Sequence, residues 1–224
     1  MKYIVTGINS GLGKYLYENI PNSLGIDRIN LNMILPHIGK DDIIVHCAFN
    51  KTNDITNHIK YLEDNIFLTR QLLELGNKMI YISTIDVYLQ NNTYTLFKKF
   101  AEALVNENSN NLILRCPALI GKYMKPNHLF KLKENHDISL SGESTFNYIL
   151  YSDVLDAVLI DRSHRMAKGT YELVSKEPTN INTVQQLFKS NSKLGKYLYM
   201  TPNEFTNPIE IQRTSIETIK GYFK

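Results

Sequence analysis

The chain of 224 residues and 25.8 kDa only slightly exceeds the ~100–200 residues of an ordinary domain, which allows one domain with a small lobe and argues against two large ones. With 43% hydrophobic residues, 21% charged residues and a mean hydropathy of -0.25 it is no disordered tail, and no apolar run approaches the ~18 residues of a membrane span. The 25 Lys+Arg against 22 Asp+Glu leave a net charge of +3, too little for a protein that grips phosphate backbones, and the two cysteines, Cys47 and Cys116, lack the spacing of a disulfide framework or a zinc site.

Short apolar runs alternate with amphipathic stretches, the pattern of a parallel sheet covered by helices. Tyr3 to Thr6 reads as a strand, Gly7 to Gly13 as a glycine loop, and Lys14 to Ile20 as a helix stopped before Pro21. Further strands are expected at Ser23 to Asp27, Ile43 to Ala48, Met79 to Ser83 and Leu112 to Arg115. Asp54 to Leu75, capped by Gly76, is the longest expected helix. Tyr94 to Asn106 is another, with Phe97, Phe100, Ala101, Leu104 and Val105 expected inward and Lys98, Lys99 and Glu102 outward. Beyond a loop from Cys116 to Asn127, a helix is expected near His128 to Glu134, a strand near Phe146 to Leu150 and a helix from Asp153 to about Asp161. Thr170 to Val174 is the last expected strand, followed by helical patterns near Asn182 to Ser190 and Thr214 to Tyr222. No linker or repeat interrupts the chain, so residues 1–224 are expected to form one compact unit. Its core covers about 1–118 plus 151–174, and a small lobe covers about 119–150 plus 175–224.

Thr6-Gly7-Ile8-Asn9-Ser10-Gly11-Leu12-Gly13 follows a strand and opens a helix, the context in which glycines let a pyrophosphate approach backbone N–H groups at a helix N-terminus. Gly7, Asn9, Ser10, Gly11, Leu12 and Gly13 are therefore candidate dinucleotide-binding residues, against the plainer reading of a tight strand-to-helix turn. Asp27 ends the second strand, where a carboxylate accepts from the adenosine ribose hydroxyls and repels a 2′-phosphate, which favours NAD. Arg28 beside it could instead greet that phosphate, so NADP stays open.

Tyr94 and Lys98 stand four residues apart, on one face of a helix. A phenol with an ordinary pKa near ~10 can move a proton at neutral pH if a cation stabilises its anion, and Lys98 could supply that charge. The plain alternative is two residues on a solvated face. The order of features favours chemistry: a strand ending in Ser83-Thr84 precedes the pair, so hydroxyl, phenol and ammonium could converge at the strand C-termini.

Taken together, the chain resembles the short-chain dehydrogenase/reductase superfamily, in particular its extended branch, the NAD-dependent epimerase/dehydratase family. The resemblance rests on the glycine loop, His46-Cys47-Ala48-Phe49, Glu63-Asp64-Asn65, Tyr81-Ile82-Ser83-Thr84-Ile85-Asp86-Val87-Tyr88, Tyr94 and Lys98 with Ala101-Glu102, Leu112-Ile113-Leu114-Arg115-Cys116-Pro117, and Tyr148 to Val154 with Asp156-Ala157. It implies a Rossmann-like doubly wound α/β fold with a small C-terminal substrate lobe. Thr84 would hold the substrate oxygen, Tyr94 would be the acid/base, and Lys98 would bind the nicotinamide ribose and tune Tyr94. The implied cofactor-binding set also includes Cys47, Ala48, Asn65 and Pro117. The implied activity is NAD(P)-dependent epimerase, dehydratase or reductase chemistry on a sugar, by preference a nucleotide-linked one, in a cytoplasmic homodimer. A one-way keto-sugar reductase and a non-catalytic dinucleotide sensor or scaffold are the alternatives.

Three features depart from the family pattern. The spacing Gly-x-x-x-Gly-x-Gly has Ser10 where the extended branch carries glycine; the segment from Asp27 to Ile43 is too short for the usual helix and strand; and only a short stretch joins Thr84 to Tyr94. Asp27 could thus correspond to a carboxylate that contacts adenine. The helices Asp54 to Leu75 and Tyr94 to Asn106 would pair in the dimer, with Leu68, Leu72, Phe97 and Leu104 divided between core and interface.

Other clusters read as structural. Lys122, Lys125, Lys131 and Lys133 are first a solvated face and second an attractor of diphosphates. Arg115 and Arg213 read as ion-pair partners, His46 as a satisfied core residue, and the cysteines as small buried hydrophobes. No histidine spacing suggests a metal.

Overall fold

The computed structural model describes residues 1–51, 58–89, 92–162 and 168–224, the side chains of residues 161 and 162 excepted. Strand β1 (Tyr3–Thr6) leads through the glycine loop into α1 (Gly11–Asn19) and β2 (Ser23–Ile26). A short α2 (Leu31–Ile34) and a 3-10 turn (Leu35–His37) then return the chain to β3 (Ile43–His46). Next come α3 (His58–Leu62), a π-helical turn (Glu63–Phe67) and α4 (Leu68–Leu73); the start of the helix expected from Asp54 lies outside the described residues. Strand β4 (Lys78–Thr84) leads through a 3-10 turn (Ile85–Tyr88) to α5 (Thr93–Asn106), then β5 (Leu112–Cys116).

The segment expected to be a loop after Cys116 contains β6 (Ala118–Ile120), followed by α6 (His128–Lys133), β7 (Ile138–Leu140), β8 (Thr145–Phe146) and β9 (Tyr148–Leu150). The expected strand Phe146 to Leu150 is divided at Asn147, whose amide is tied in both directions to the Ser175 backbone. The chain continues with α7 (Tyr151–Arg162), β10 (Gly169–Ser175), β11 (Thr179–Asn180), α8 (Ile181–Phe188), β12 (Leu194–Tyr197), β13 (Pro208–Ile211) and α9 (Ser215–Tyr222).

Seven strands form one parallel sheet in the order β13-β10-β5-β4-β3-β1-β2. Compared with the 3-2-1-4-5-6 order of a dinucleotide-binding sheet, the strand beyond β2 is missing, as the short segment between Asp27 and Ile43 requires. Period-two alternation sends each strand's side chains to two faces. Val5, Val45, Ile82 and Leu114 pack with α1 and α7; Ile4, Ile44, Tyr81 and Ile113 pack with the α3–α5 layer. Strands sandwiched in this way must be apolar throughout, which explains runs such as Ile43-Ile44-Val45.

Two expectations need correction. The main sheet does not end at Val174: β13 lies within the segment assigned to the lobe and adds an edge strand through Glu172 to Ser175. Its four residues begin with proline and are too few for the alternation of Ile209, Glu210 and Ile211 to stand out; an edge position tolerates the proline. The remaining lobe segments share a core of Ile120, Leu129, Leu132, Tyr148, Ile181, Val184 and Ile219.

The inward face of α5 also differs from its apolar pattern. Thr95, Lys98, Ala101, Glu102 and Val105 are buried, whereas Phe100 is exposed. Buried charge is tolerated here because each group is bonded. Lys98 donates to a backbone carbonyl, while Glu102 accepts from Ser83 and takes a forked bond from Arg115. Arg115 also reaches Glu172 and Tyr88, and Arg213 forks onto Asp153. Both arginines are thus ion-pair partners. Cys47 and Cys116 are free thiols whose pKa burial pushes up to about 12.

Candidate active site

A cleft of about 1360 Å³ runs along the C-terminal ends of β1 to β5. The chain leaves β1 toward β2 on one side and returns to β3 on the other, so the cleft opens at the switch point of the sheet. Its lining includes Thr84, Tyr94 and Lys98, together with Gly7, Asn9, Ser10, Gly11, Leu12, Gly13, Asp27, Arg28, Cys47, Ala48 and Pro117.

The glycine loop is shaped by contacts that leave no space for a side chain. A Cβ on Gly13 would stand 2.4 Å from the Gly7 carbonyl oxygen, and one on Gly7, at φ +76°, would stand 2.9 Å from the Ala48 nitrogen. Ser10 precedes α1 in extended conformation and its side chain makes no capping bond, so the first N–H groups of the helix are not satisfied by their own cap. Gly11 N–H donates to the Tyr123 carbonyl. A helix N-terminus lining a cleft, with backbone closely packed around it, fits a pyrophosphate.

Beneath the loop, His46 organises the floor. Thr69 donates its hydroxyl to the Asn65 carbonyl, so it accepts from His46 Nε2; Nδ1 is then the acceptor for the Thr6 hydroxyl at 2.7 Å. Thr6 Oγ1 in turn accepts from the Cys47 and Ala48 N–H groups. Burial, then the Lys98 charge, pushes the imidazole pKa down to about 3, so it is neutral at physiological pH. His46 is thus the satisfied core histidine that the sequence suggests.

Asn65, grouped with the cofactor-binding residues by resemblance, does not line the cleft. It is buried and exchanges bonds with the Asn50 backbone, accepting from its N–H and donating to its carbonyl. Asp27 Oδ1 accepts from the N–H groups of Ile29 and Asn30, and Oδ2 from Asn9; these backbone bonds hold its pKa below the usual carboxylate value. Arg28 is turned to Asp64.

At the other end of the cleft, Thr84 finishes β4 and accepts from the Asp86 N–H, while the Asn92–Thr95 capping box starts α5 one residue before Tyr94. The Tyr94 phenol is pushed up in pKa by burial and by the Asp86 carboxylate, with its hydrogen bond to Thr84 opposing. Lys98 Nζ does not rest on the phenol: it donates to the Ile82 carbonyl at 2.8 Å and lies 4.2 Å above the Phe49 ring, whose edge relation to Tyr94 has a centroid distance of 5.3 Å.

Several cleft residues escaped the sequence reading. Lys51 Nζ stands 4.8 Å from the Tyr94 ring centroid, and Asp86 accepts from the Tyr199 hydroxyl at 2.6 Å. Phe146, stacked on Tyr199 at 4.4 Å, adds an aromatic wall. Lys51 follows the β3 motif with no helical or strand period to place it, and Tyr199 arrives from the far end of the chain; neither leaves a local signal. Of the basic cluster, Lys125 lines the cleft, while Lys122 pairs with Glu18.

No protein-family model and no curated protein matches the sequence. Solved structures do match. A dTDP-4-dehydrorhamnose reductase from Bacillus anthracis in complex with NADP has 20% identity over 100% of this chain and 99% of that chain, at a TM-score of 0.75. An ADP-L-glycero-D-manno-heptose-6-epimerase from Helicobacter pylori has 15% identity over 99% and 95%, at 0.78. A dTDP-glucose 4,6-dehydratase from Bacillus anthracis in complex with NAD has 15% identity over 100% and 90%, at 0.69. At these identities the likeness is one of architecture, and the chain has the Rossmann-like fold of these sugar-nucleotide enzymes.

Proposed function

We propose that the chain is an extended short-chain dehydrogenase/reductase of the epimerase/dehydratase type, a shortened member that binds NAD and carries out reversible hydride transfer on a sugar, most simply a nucleotide-linked one. The observation that carries this reading is the meeting of Thr84, Tyr94 and Lys98 in the same cleft as the glycine loop. The neighbours' reductase, epimerase and dehydratase activities and their NAD or NADP complexes support it.

A nicotinamide bound in the cleft would accept hydride from a carbinol carbon or return it to a carbonyl. In the oxidising direction Tyr94, as phenolate, would take the hydroxyl proton as the C–H hydride leaves for the nicotinamide and the carbonyl forms. Thr84 donates to the oxygen as its character changes. Lys98 would hold the cofactor ribose and, when protonated, would place positive charge near the phenol. In reduction Tyr94 returns the proton. The glycine loop and the α1 N-terminus would hold the pyrophosphate and Asp27 the adenosine ribose, with Cys47, Ala48 and Pro117 as walls.

A one-way reductase is the alternative within this chemistry, because a small lobe suits an enzyme that need not hold and turn over a keto intermediate. A sensor without chemistry is disfavoured by the complete Thr84–Tyr94–Lys98 set. The exposed Ile59, Phe67, Leu96 and Phe100 on the α3–α5 layer favour a homodimer through that layer, while Leu72 belongs to the core and Leu68, Phe97 and Leu104 pack against it. Sedimentation as a monomer at micromolar concentration rejects the dimer. Among the described residues no helix is long and apolar enough to cross a membrane, and a cytoplasmic enzyme is part of this proposal.

The test is Tyr94→Phe. The variant should titrate NADH by fluorescence as the parent does, yet lose turnover on a panel of UDP- and dTDP-linked sugars and 4-keto sugars. A parent protein that fails to bind NADH, or a variant that turns over as fast as the parent, sinks the reading.

A further inference from the structure

The end of β2 presents two neighbours with opposite preferences. Asp27 favours a cofactor with a free ribose 2′-hydroxyl, whereas Arg28 favours one with a 2′-phosphate. The neighbouring structures divide between NADP and NAD complexes, so fold alone leaves the choice open.

Arg28 is 69% exposed along its side chain, yet its guanidinium lies 2.5 Å from Asp64 Oδ2. Asp64 is far less exposed, at 12%, and has additional donors: Asn50 reaches the same oxygen at 2.7 Å, and Lys60 reaches Oδ1 at 3.4 Å. The carboxylate is therefore the fixed partner and the arginine the mobile one. The π-helical turn Glu63–Phe67 makes this possible by presenting neighbouring residues to two places: Asn65 grips the Asn50 backbone while Asp64 faces Arg28 across the cleft.

We infer that Asp64 determines cofactor choice by holding the Arg28 guanidinium away from the ribose position beside Asp27, so that a 2′-phosphate meets Asp27 without a free cation. The inference rests on the dinucleotide reading of the cleft. Charge counting supports it. Asp27, Glu63 and Asp64 line this end of the cleft, and among the described residues Arg28 and Lys60 each pair with Asp64. A 2′-phosphate brings about −1.5 to −2 more charge into that surplus. Asp27 is held in its ionised form by the N–H groups of Ile29 and Asn30. Asp64 does not touch the cofactor in this scheme; it acts through Arg28.

The experiment is a fluorescence titration of the full-length protein with NADH and NADPH, in the parent, Asp64→Asn, Arg28→Ala and the double variant. Asparagine keeps the shape of Asp64 and can still accept from Asn50, while Arg28 is exposed enough for its removal to leave folding intact. The parent should bind NADH about tenfold or more tighter than NADPH, and Asp64→Asn should improve NADPH relative to NADH by about tenfold. Arg28→Ala alone should change the ratio by less than about threefold, and the double variant should lose the gain, because the freed arginine is its source. The inference is overturned if Asp64→Asn moves both affinities equally, if its gain survives loss of Arg28, or if Arg28→Ala alone costs the parent NADPH affinity selectively. Failure of every variant to bind either nucleotide would overturn the dinucleotide reading itself, an outcome distinct from binding without discrimination.

Discussion

The Lys98 ammonium is hydrogen-bonded to the Ile82 carbonyl at 2.8 Å, which fastens α5 to the strand that ends in Thr84. The amine is buried, and burial first, then the positive charge of Lys51, brings its pKa down from 10.5 to about 7. Between about pH 7 and 10.5 the unfolded chain holds a proton that the folded chain has released, so the ligand-free protein gains stability as pH rises through that window. Lys98→Met removes the burden of a buried cation but also the bond to Ile82. It should therefore be more stable than the parent by on the order of 2 kcal/mol at pH 6, with the advantage fading toward pH 10. Denaturant unfolding at the two pH values checks this; an equal difference at both refutes it.

Tyr94 has charges of both signs around it. Lys51 stands over its ring at 4.8 Å, and Asp86 raises its pKa while remaining tied to Tyr199. Lys51→Met should move the pH at which the oxidising rate rises upward by about one unit, and Asp86→Asn should move it downward by a similar amount. The two limbs are read from pH–rate profiles with saturating cofactor. A variant whose profile does not shift would show that its charge does not act on the phenol.

These charges also show how far local sequence carries the argument. The glycine loop, β1 to β5 and the Thr84–Tyr94–Lys98 spacing are legible because each obeys a short period or a motif whose parts lie within a few residues. The inward face of α5 is not legible locally because Lys98 and Glu102 are polar residues at core positions, and their burial depends on the Ile82 carbonyl, Ser83 and Arg115 on other strands. Lys51, Asp64 and Tyr199 gain their places in the cleft only when distant segments meet there. Strand β13 is only four residues long and opens with proline, so the alternation of Ile209, Glu210 and Ile211 is too brief to stand out locally. The resemblance points to the helix bearing Asn65, whose asparagine turns to the backbone of Asn50 while neighbouring Asp64 faces the cleft.

Gly13 tests how closely the loop is packed. A methyl group there would lie 2.4 Å from the Gly7 oxygen and 2.8 Å from the Thr6 oxygen, both backbone atoms that cannot rotate aside. Gly13→Ala should destabilise the fold by about 2–4 kcal/mol and weaken NADH binding at least tenfold, because α1 must move off β1. Gly221 is the control: a Cβ there meets nothing within 4 Å, and alanine in α9 should be neutral or slightly stabilising. Thermal unfolding and NADH titration give both answers, and a Gly13→Ala protein indistinguishable from the parent removes the close-packing argument.

Thr6 connects the core to the cleft through a single oxygen. It donates to His46 and accepts from the N–H groups of Cys47 and Ala48, the segment against which Gly7 packs. Thr6→Val preserves shape and removes all three bonds, leaving two backbone donors and an imidazole acceptor unsatisfied in a buried place. The expected cost is about 2–4 kcal/mol of stability. Thr6→Ser, which keeps the hydroxyl, should cost less than half as much. The neutral state of His46 adds a pH signature. Its depressed pKa means that stability falls as pH drops from about 6.5 toward about 3, where the unfolded chain takes up a proton that the folded imidazole refuses. In Thr6→Val the ring loses the hydroxyl that donates to Nδ1, so its charged form loses less relative to its neutral form. The acid loss of stability should therefore be shallower than in the parent. Unfolding curves at pH 7 and pH 5 would reveal it, and a steeper loss in the variant would mean that the His46 tautomer is the reverse of the one its partners impose.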